Sequence, residues 1–99
     1  MKKSAFLNNK DQIRQICRAN DISYLGLFGS YSRGEAHKSS DVDLLLDFKK
    51  TKSFFELARL KYKLEGQLGK SVDLVIRKNI KTRIKPFILR DLKTLYAER

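Results

Sequence analysis

Three short apolar runs constrain the fold of this 99-residue chain more than any other feature. They read SYLGLF over residues 23–28, VDLLLDF over residues 42–48 and SVDLVI over residues 71–76. Short runs of this kind, bounded by glycine or polar residues, are typical of buried strands. They predict a sheet of three strands.

Helical segments precede, separate and follow these runs. The first is predicted over residues 9–20, where apolar residues recur at helical spacing. The longest begins at Ser53, which forms a capping box with Glu56, and runs to about Gly69, a residue that suits a helix end. Its apolar stripe consists of four leucines: Leu57, Leu60, Leu64 and Leu68.

The last segment of the chain is also predicted to be helical. Pro86 suits a first helical turn, so we expect a helix over residues 86–97. Its inward face would carry Ile88, Leu92, Leu95 and Tyr96. Residues 29–34 would form a tight turn leading into one turn of helix. The element order is then α-β-α-β-α-β-α, which indicates a single α+β (mixed α/β) domain over residues 1–99 with helices packed on the sheet.

Composition excludes several classes of protein. The chain is 41% hydrophobic and 33% charged, as globular rather than disordered proteins are. No apolar run approaches the roughly 20 residues that span a bilayer, so no membrane association is expected. Cys17 is the only cysteine, which excludes an internal disulfide and favours the cytoplasm. Its side chain is expected to be a small buried hydrophobe.

The net charge of +11 favours a polyanionic partner. Nucleic acid, nucleotide phosphates and an acidic protein all meet this description. The denser basic groups, residues 49–52 and 77–85, are compatible with binding surfaces and equally with solvated loops. Aromatic stacking runs of the kind used by single-strand binders are not evident among them, so nucleic-acid binding is possible but not favoured.

Three aspartates indicate a metal site. Asp41 and Asp43, two residues apart at the start of the second strand, project to one face. Adjacent carboxylates raise each other's pKa unless a cation lies between them, and Mg²⁺ suits such oxygen ligands. Asp73 interrupts the third apolar run and could complete a two-metal site or accept a proton. The alternatives are solvated aspartates at a strand edge and a strand-end aspartate.

A glycine-serine turn lies between the first strand and the aspartate pair. Gly29 permits close backbone approach, and the Ser30 hydroxyl with main-chain N–H groups would form an anion site. Arg33, one turn further on, could neutralise a phosphate or lock the loop by pairing with an aspartate. Both roles for Arg33 stay open at this point.

The segment LFGSYSRGEAHKSSDVDLLLDF resembles the core of minimal nucleotidyltransferases in the DNA-polymerase-β-like superfamily. The match to the pattern G-S-x-[AS]-R-G…S-D-x-D-[LI] is close, and the later V-D-[LIV] strand is present. The resemblance implies a nucleotidyltransferase-like fold. It also implies that Gly29, Ser30 and Arg33 bind the triphosphate and that three aspartates coordinate Mg²⁺: Asp41, Asp43 and Asp73. ATP as the substrate is implied by the family alone, since no residue visibly reads a base.

Small members of this group are often antitoxins that act with HEPN-domain toxins. The resemblance therefore implies Mg²⁺-dependent transfer of AMP from ATP to a hydroxyl, a tyrosine in particular, of a HEPN ribonuclease toxin. Longer relatives carry a further domain for the acceptor, so the acceptor surface is expected to come from that partner. The alternatives are an antitoxin that neutralises its toxin by binding alone and a basic nucleic-acid-binding module.

Overall fold

The computed structural model describes residues 7–37 and 39–98. The elements are α1 (Lys10–Ala19), β1 (Ile22–Phe28), α2 (Ser30–Arg33), β2 (Val42–Phe48), α3 (Phe54–Leu68), β3 (Val72–Ile76), α4 (Lys85–Asp91) and β4 (Lys93–Ala97). A 3₁₀ turn over Arg77–Asn79 follows β3. Among the described residues, none of the helices has the length and apolar character needed to cross a membrane.

The four strands form one sheet in the order β3-β2-β1-β4. β1 runs antiparallel to both of its neighbours, β2 and β4. β2 and β3 are parallel, and α3 connects them, as a parallel pair requires a crossover. The three predicted strands and the mixed α+β class are confirmed.

The predicted final helix over residues 86–97 is wrong in its second half. α4 ends at Asp91, and Leu92 has an extended backbone with φ −66° and ψ 127°. The chain then pairs with β1 as β4, so the sheet has four strands rather than three. Thr94 and Tyr96 favour strands, and pairing covers a β1 edge that would otherwise present unpaired backbone groups.

One face of the sheet packs against α1 and α3. Val42, Leu44 and Leu46 alternate along β2 and point to this face. They belong to one buried cluster with side chains from both helices, namely Ile13, Ile16, Cys17, Leu60, Leu64 and Leu68. The predicted apolar stripes are therefore confirmed, except that Leu57 is only half-buried.

The second face of the sheet carries polar side chains. Asp43, Leu45 and Asp47 alternate along β2 on this side. A Cβ on Gly26 of β1 would lie 2.6 Å from Leu92 Cδ1 and 2.8 Å from the Tyr24 hydroxyl. The missing side chain at Gly26 therefore leaves room for Leu92 and Tyr24, which brings the end of α4 over this face.

A matched pair of leucines tests the position of the core. Leu64 is fully buried, whereas Leu89 on α4 is 44% exposed. We expect Leu64→Ala to lower the free energy of unfolding by about 2–5 kcal/mol, because the lost contacts leave a cavity. Leu89→Ala should cost about 1 kcal/mol or less. Urea unfolding followed by circular dichroism measures both, and equal losses would contradict the assignment.

The Cys17 thiol provides a test that depends on pH. Burial raises its pKa from 9.0 to about 12. Alkylation by iodoacetamide should therefore stay slow in the native protein between about pH 7 and pH 10, and become fast in urea. Because the unfolded thiol ionises first, stability should fall as pH rises from about 9 towards 12. Rapid alkylation of the native protein would show that Cys17 is accessible.

Candidate active site

The parallel pairing of β2 with β3 brings two aspartates side by side. Asp43 is the direct partner of Asp73 in the register of these strands. Partners in a ladder point to the same face, here the second face of the sheet. Asp41 lies two residues before Asp43, just ahead of β2. The three aspartates that the sequence singled out thus lie at one end of the sheet.

The environment of Asp43 disfavours its charged form. Burial raises the pKa of this half-buried carboxyl, and the charges of Asp73 and Asp41 raise it further. The charge of Arg33 acts in the opposite direction. A cation beside Asp43 would relieve both the repulsion and the loss of solvation.

The chemistry of these oxygen ligands fits Mg²⁺, which binds through one or two carboxylates and substrate phosphates. Within the described ranges, however, no three His, Cys, Asp or Glu side chains converge closely enough to form a ready metal cluster. Asp41 and Asp73 are both exposed. Convergence of all three carboxylates on a shared ion would therefore require a change in side-chain conformation.

The glycine turn closely approaches the Asp43 carboxylate. Gly29 directly follows β1, whose last residue, Phe28, is the strand partner of Asp43. The backbone at Gly29 has φ 77°, and a Cβ there would collide with Asp43 Oδ2. Glycine is thus required twice at this position, for its conformation and for the lack of a side chain. Ser30 begins α2 immediately after this contact.

Arg33 links α2 to the end of α4 through an ion pair with Asp91. Its Nη1 lies 2.6 Å from Asp91 Oδ2, and its Nε lies 2.9 Å from Glu35 Oε1. Ser32 Oγ donates a hydrogen bond to the carbonyl oxygen of Asp91. The sequence left two roles open for Arg33, neutralising a phosphate or locking the loop by pairing with an aspartate. The structure shows the second, because Arg33 pairs with Asp91.

Asp91 is the residue that sequence reasoning missed. Its hydrogen bond with Arg33 lowers the pKa of this carboxyl, so the pair stays charged at neutral pH. The available signal was a single acid at the end of a segment in which residues 77–90 contain six Lys or Arg and no Asp or Glu.

The family profile described as nucleotidyltransferase domain matches residues 10–95. The chain belongs to the nucleotidyltransferase family. The matched span runs from α1 into β4 and contains the glycine turn and the three aspartates. The predicted enzyme class is thereby confirmed.

Individual relatives of this nucleotidyltransferase give a finer likeness. Protein adenylyltransferase MntA of Thermococcus cleftensis is 39% identical over 84 residues, which are 85% of this chain and 82% of MntA. A chain in a crystal structure of a toxin–antitoxin with AMP-PNP matches with a TM-score of 0.76 and 29% identity, covering 92% of this nucleotidyltransferase and 75% of that chain.

A further match lies in the structure of the tri-AMPylated Shewanella oneidensis HEPN toxin in complex with an MNT antitoxin. It has a TM-score of 0.67 and 26% identity, and it covers 89% of this chain and 69% of that one. These likenesses confirm the predicted resemblance to the minimal nucleotidyltransferases of HEPN–MNT pairs.

Two glycines with similar backbones test the close approach to Asp43. Gly29 and Gly34 have φ of 77° and 75°, but a Cβ meets nothing within 4 Å at Gly34. Both changes to alanine should cost about 1–2 kcal/mol of backbone strain. Only Gly29→Ala should also displace the Asp43 carboxylate. The affinity of the Gly29→Ala protein for Mg-ATP should therefore be at least about tenfold lower than that of the Gly34→Ala protein, as measured by calorimetry. Equal affinities would show that the contact is unimportant.

Proposed function

We propose that this nucleotidyltransferase transfers AMP from ATP to a tyrosine hydroxyl of a HEPN-domain ribonuclease toxin and so acts as its antitoxin. The observation that carries the proposal is the pairing of Asp43 with Asp73 beneath the Gly29 turn. Adjacent carboxylates beside a glycine turn that leads into a helix suit the chemistry of nucleotidyl transfer. The likeness to the adenylyltransferase MntA and to the antitoxin bound to an AMPylated HEPN toxin supports a HEPN toxin as the acceptor protein.

Three aspartates would hold the metal: Asp41, Asp43 and Asp73. Two Mg²⁺ ions bound there would orient the phosphates and stabilise the charge on the attacking and leaving oxygens. The raised pKa of Asp43 supports this assignment, because its carboxylate lacks a compensating charge beyond that of Arg33. The relatives' crystal structure with AMP-PNP supports an adenine nucleotide as the substrate.

The remaining residues position the nucleotide and the acceptor. Gly29, Ser30 and Arg33 bind the triphosphate, and the Asp91 pair keeps the α2 turn in place.

The acceptor oxygen attacks the α-phosphorus and forms the new P–O bond. The bond from that phosphorus to the oxygen bridging to the β-phosphate breaks, and pyrophosphate leaves with the electron pair. Asp73, exposed beside Asp43, takes the hydroxyl proton. The reaction takes place in the cytoplasm, where ATP is available and the lone thiol stays reduced.

Substitution of the aspartates tests this function. Asp41→Asn and Asp43→Asn should each lower transfer by at least about 100-fold, because the charge that holds the metal and phosphates is lost. Ser30→Ala should lower it only about tenfold, since one hydrogen bond to a phosphate is removed. The assay combines the chain, Mg²⁺, ATP labelled at its α-phosphate, and a candidate HEPN-domain acceptor protein.

Asp47→Asn is the matched control, because Asp47 lies on the same strand and face but pairs with Arg77, 3.0 Å away. It should retain most of the transfer activity. Full activity of Asp43→Asn would refute the metal site. A stable complex without any label on the HEPN protein would instead favour an antitoxin that acts by binding alone.

A further inference from the structure

α4 leaves large apolar side chains in solvent. Ile84, the N-cap residue, is 45% exposed and Phe87 is 61% exposed, while Ile88 is the one buried residue of the helix. Ile84 and Phe87 are three positions apart, so they are neighbours on the helix surface. We call these two residues and the bases around them, Lys81, Arg83, Lys85 and Arg90, the α4 surface. An apolar patch rimmed by charge is typical of a protein interaction site.

The charge of the α4 surface is of one sign. Its four bases are exposed, and residues 77–90 contain no acid, although Arg90 Nε lies 3.4 Å from the carboxylate of the next residue, Asp91. The Arg90 guanidinium lies 5.7 Å from the centre of the Phe87 ring, so charge and apolar area are combined at one place. A complementary partner must therefore present acidic groups around an apolar side chain.

The α4 surface lies close to the candidate active site. Phe87 precedes Asp91 by four residues, which is one helical turn or about 6 Å. Asp91 in turn holds Arg33 and Ser32 of α2, the turn that follows Gly29. A protein bound to the α4 surface would thus lie next to the α2 turn, which adjoins the candidate site.

We propose that the α4 surface docks an acidic, amphipathic segment of the acceptor protein and thereby presents its hydroxyl to the site. The inference rests on the proposed function and adds the place and chemistry of recognition. A second copy of this chain is disfavoured as the occupant, because both surfaces would carry the same positive charge. RNA is disfavoured because the exposed Ile84 side chain offers nothing to a phosphate backbone.

Another exposed aromatic residue provides the control. Phe54, at the start of α3, is 81% exposed, more than Phe87. α3 covers the opposite face of the sheet from Asp43. Phe54→Ser therefore removes a comparable exposed ring far from the proposed docking place.

The test compares steady-state transfer of AMP from Mg-ATP to the HEPN-domain acceptor protein by the unsubstituted chain and by its variants. Phe87→Ser and Ile84→Ser should each raise KM for that protein about tenfold and leave kcat within about twofold. The double change Lys81→Glu with Arg83→Glu should raise KM further at low salt, because attraction becomes repulsion. Phe54→Ser should change neither parameter, and Mg-ATP affinity should be equal in all variants.

The outcomes separate this inference from the proposed function. No transfer by the unsubstituted chain would refute the function itself. Normal transfer with an unchanged KM in Phe87→Ser and Ile84→Ser would refute the docking surface alone. Two further results would overturn the proposed partner. If Phe87→Ser and Ile84→Ser weaken binding of a single-stranded RNA 20-mer as much as binding of the acceptor protein, the α4 surface binds RNA. If the unsubstituted chain is a dimer that Phe87→Ser converts to a monomer, the surface binds a second copy of the chain.

Discussion

The parallel pairing of β2 with β3 is the constraint on which the rest of the structure depends. It holds Asp43 and Asp73 side by side although their charges repel. The cost is offset on the other face of the same strands, where Val42, Leu44 and Val72 are buried under the helices. The strand pair is thus apolar on one side and acidic on the other. A shift of β3 by one residue would place Asp73 in the core.

The Gly29 turn shows how tightly the second face is organised around that pair. The backbone touches the Asp43 carboxylate at a position where any side chain would collide with it. Arg33, four residues later, adds a positive charge that favours the ionised form of Asp43 while being held by Asp91. Backbone, acid and base are therefore fixed relative to one another before any nucleotide binds, which lowers the reorganisation required for chemistry.

Much of the fold could be predicted because its local and tertiary preferences agree. α1 and α3 have clear helical periodicity, the first three strands are short apolar runs, and the Ser53 capping box forms as expected. The placement of Asp43 beside Asp73 also followed from two apolar runs, each interrupted by an acid. β4 could not be predicted, because Leu92, Leu95 and Tyr96 have spacing that fits a helix as well as a strand. The unpaired edge of β1, a long-range feature, decides between them. The role of Asp91 was hidden for the same reason, since Arg33 lies 58 positions away.

The late position of Asp91 and β4 in the chain affects how the enzyme matures. β1 is made early, yet one of its two neighbours is contributed by residues 93–97. The turn that carries Ser30 likewise gains its contacts with Asp91 only once residue 91 has left the ribosome. Contacts of such long sequence separation form late and slowly. A nascent chain can therefore assemble the Asp43–Asp73 pair before the α2 turn is held by Asp91, and the candidate site is complete only once β4 has paired with β1.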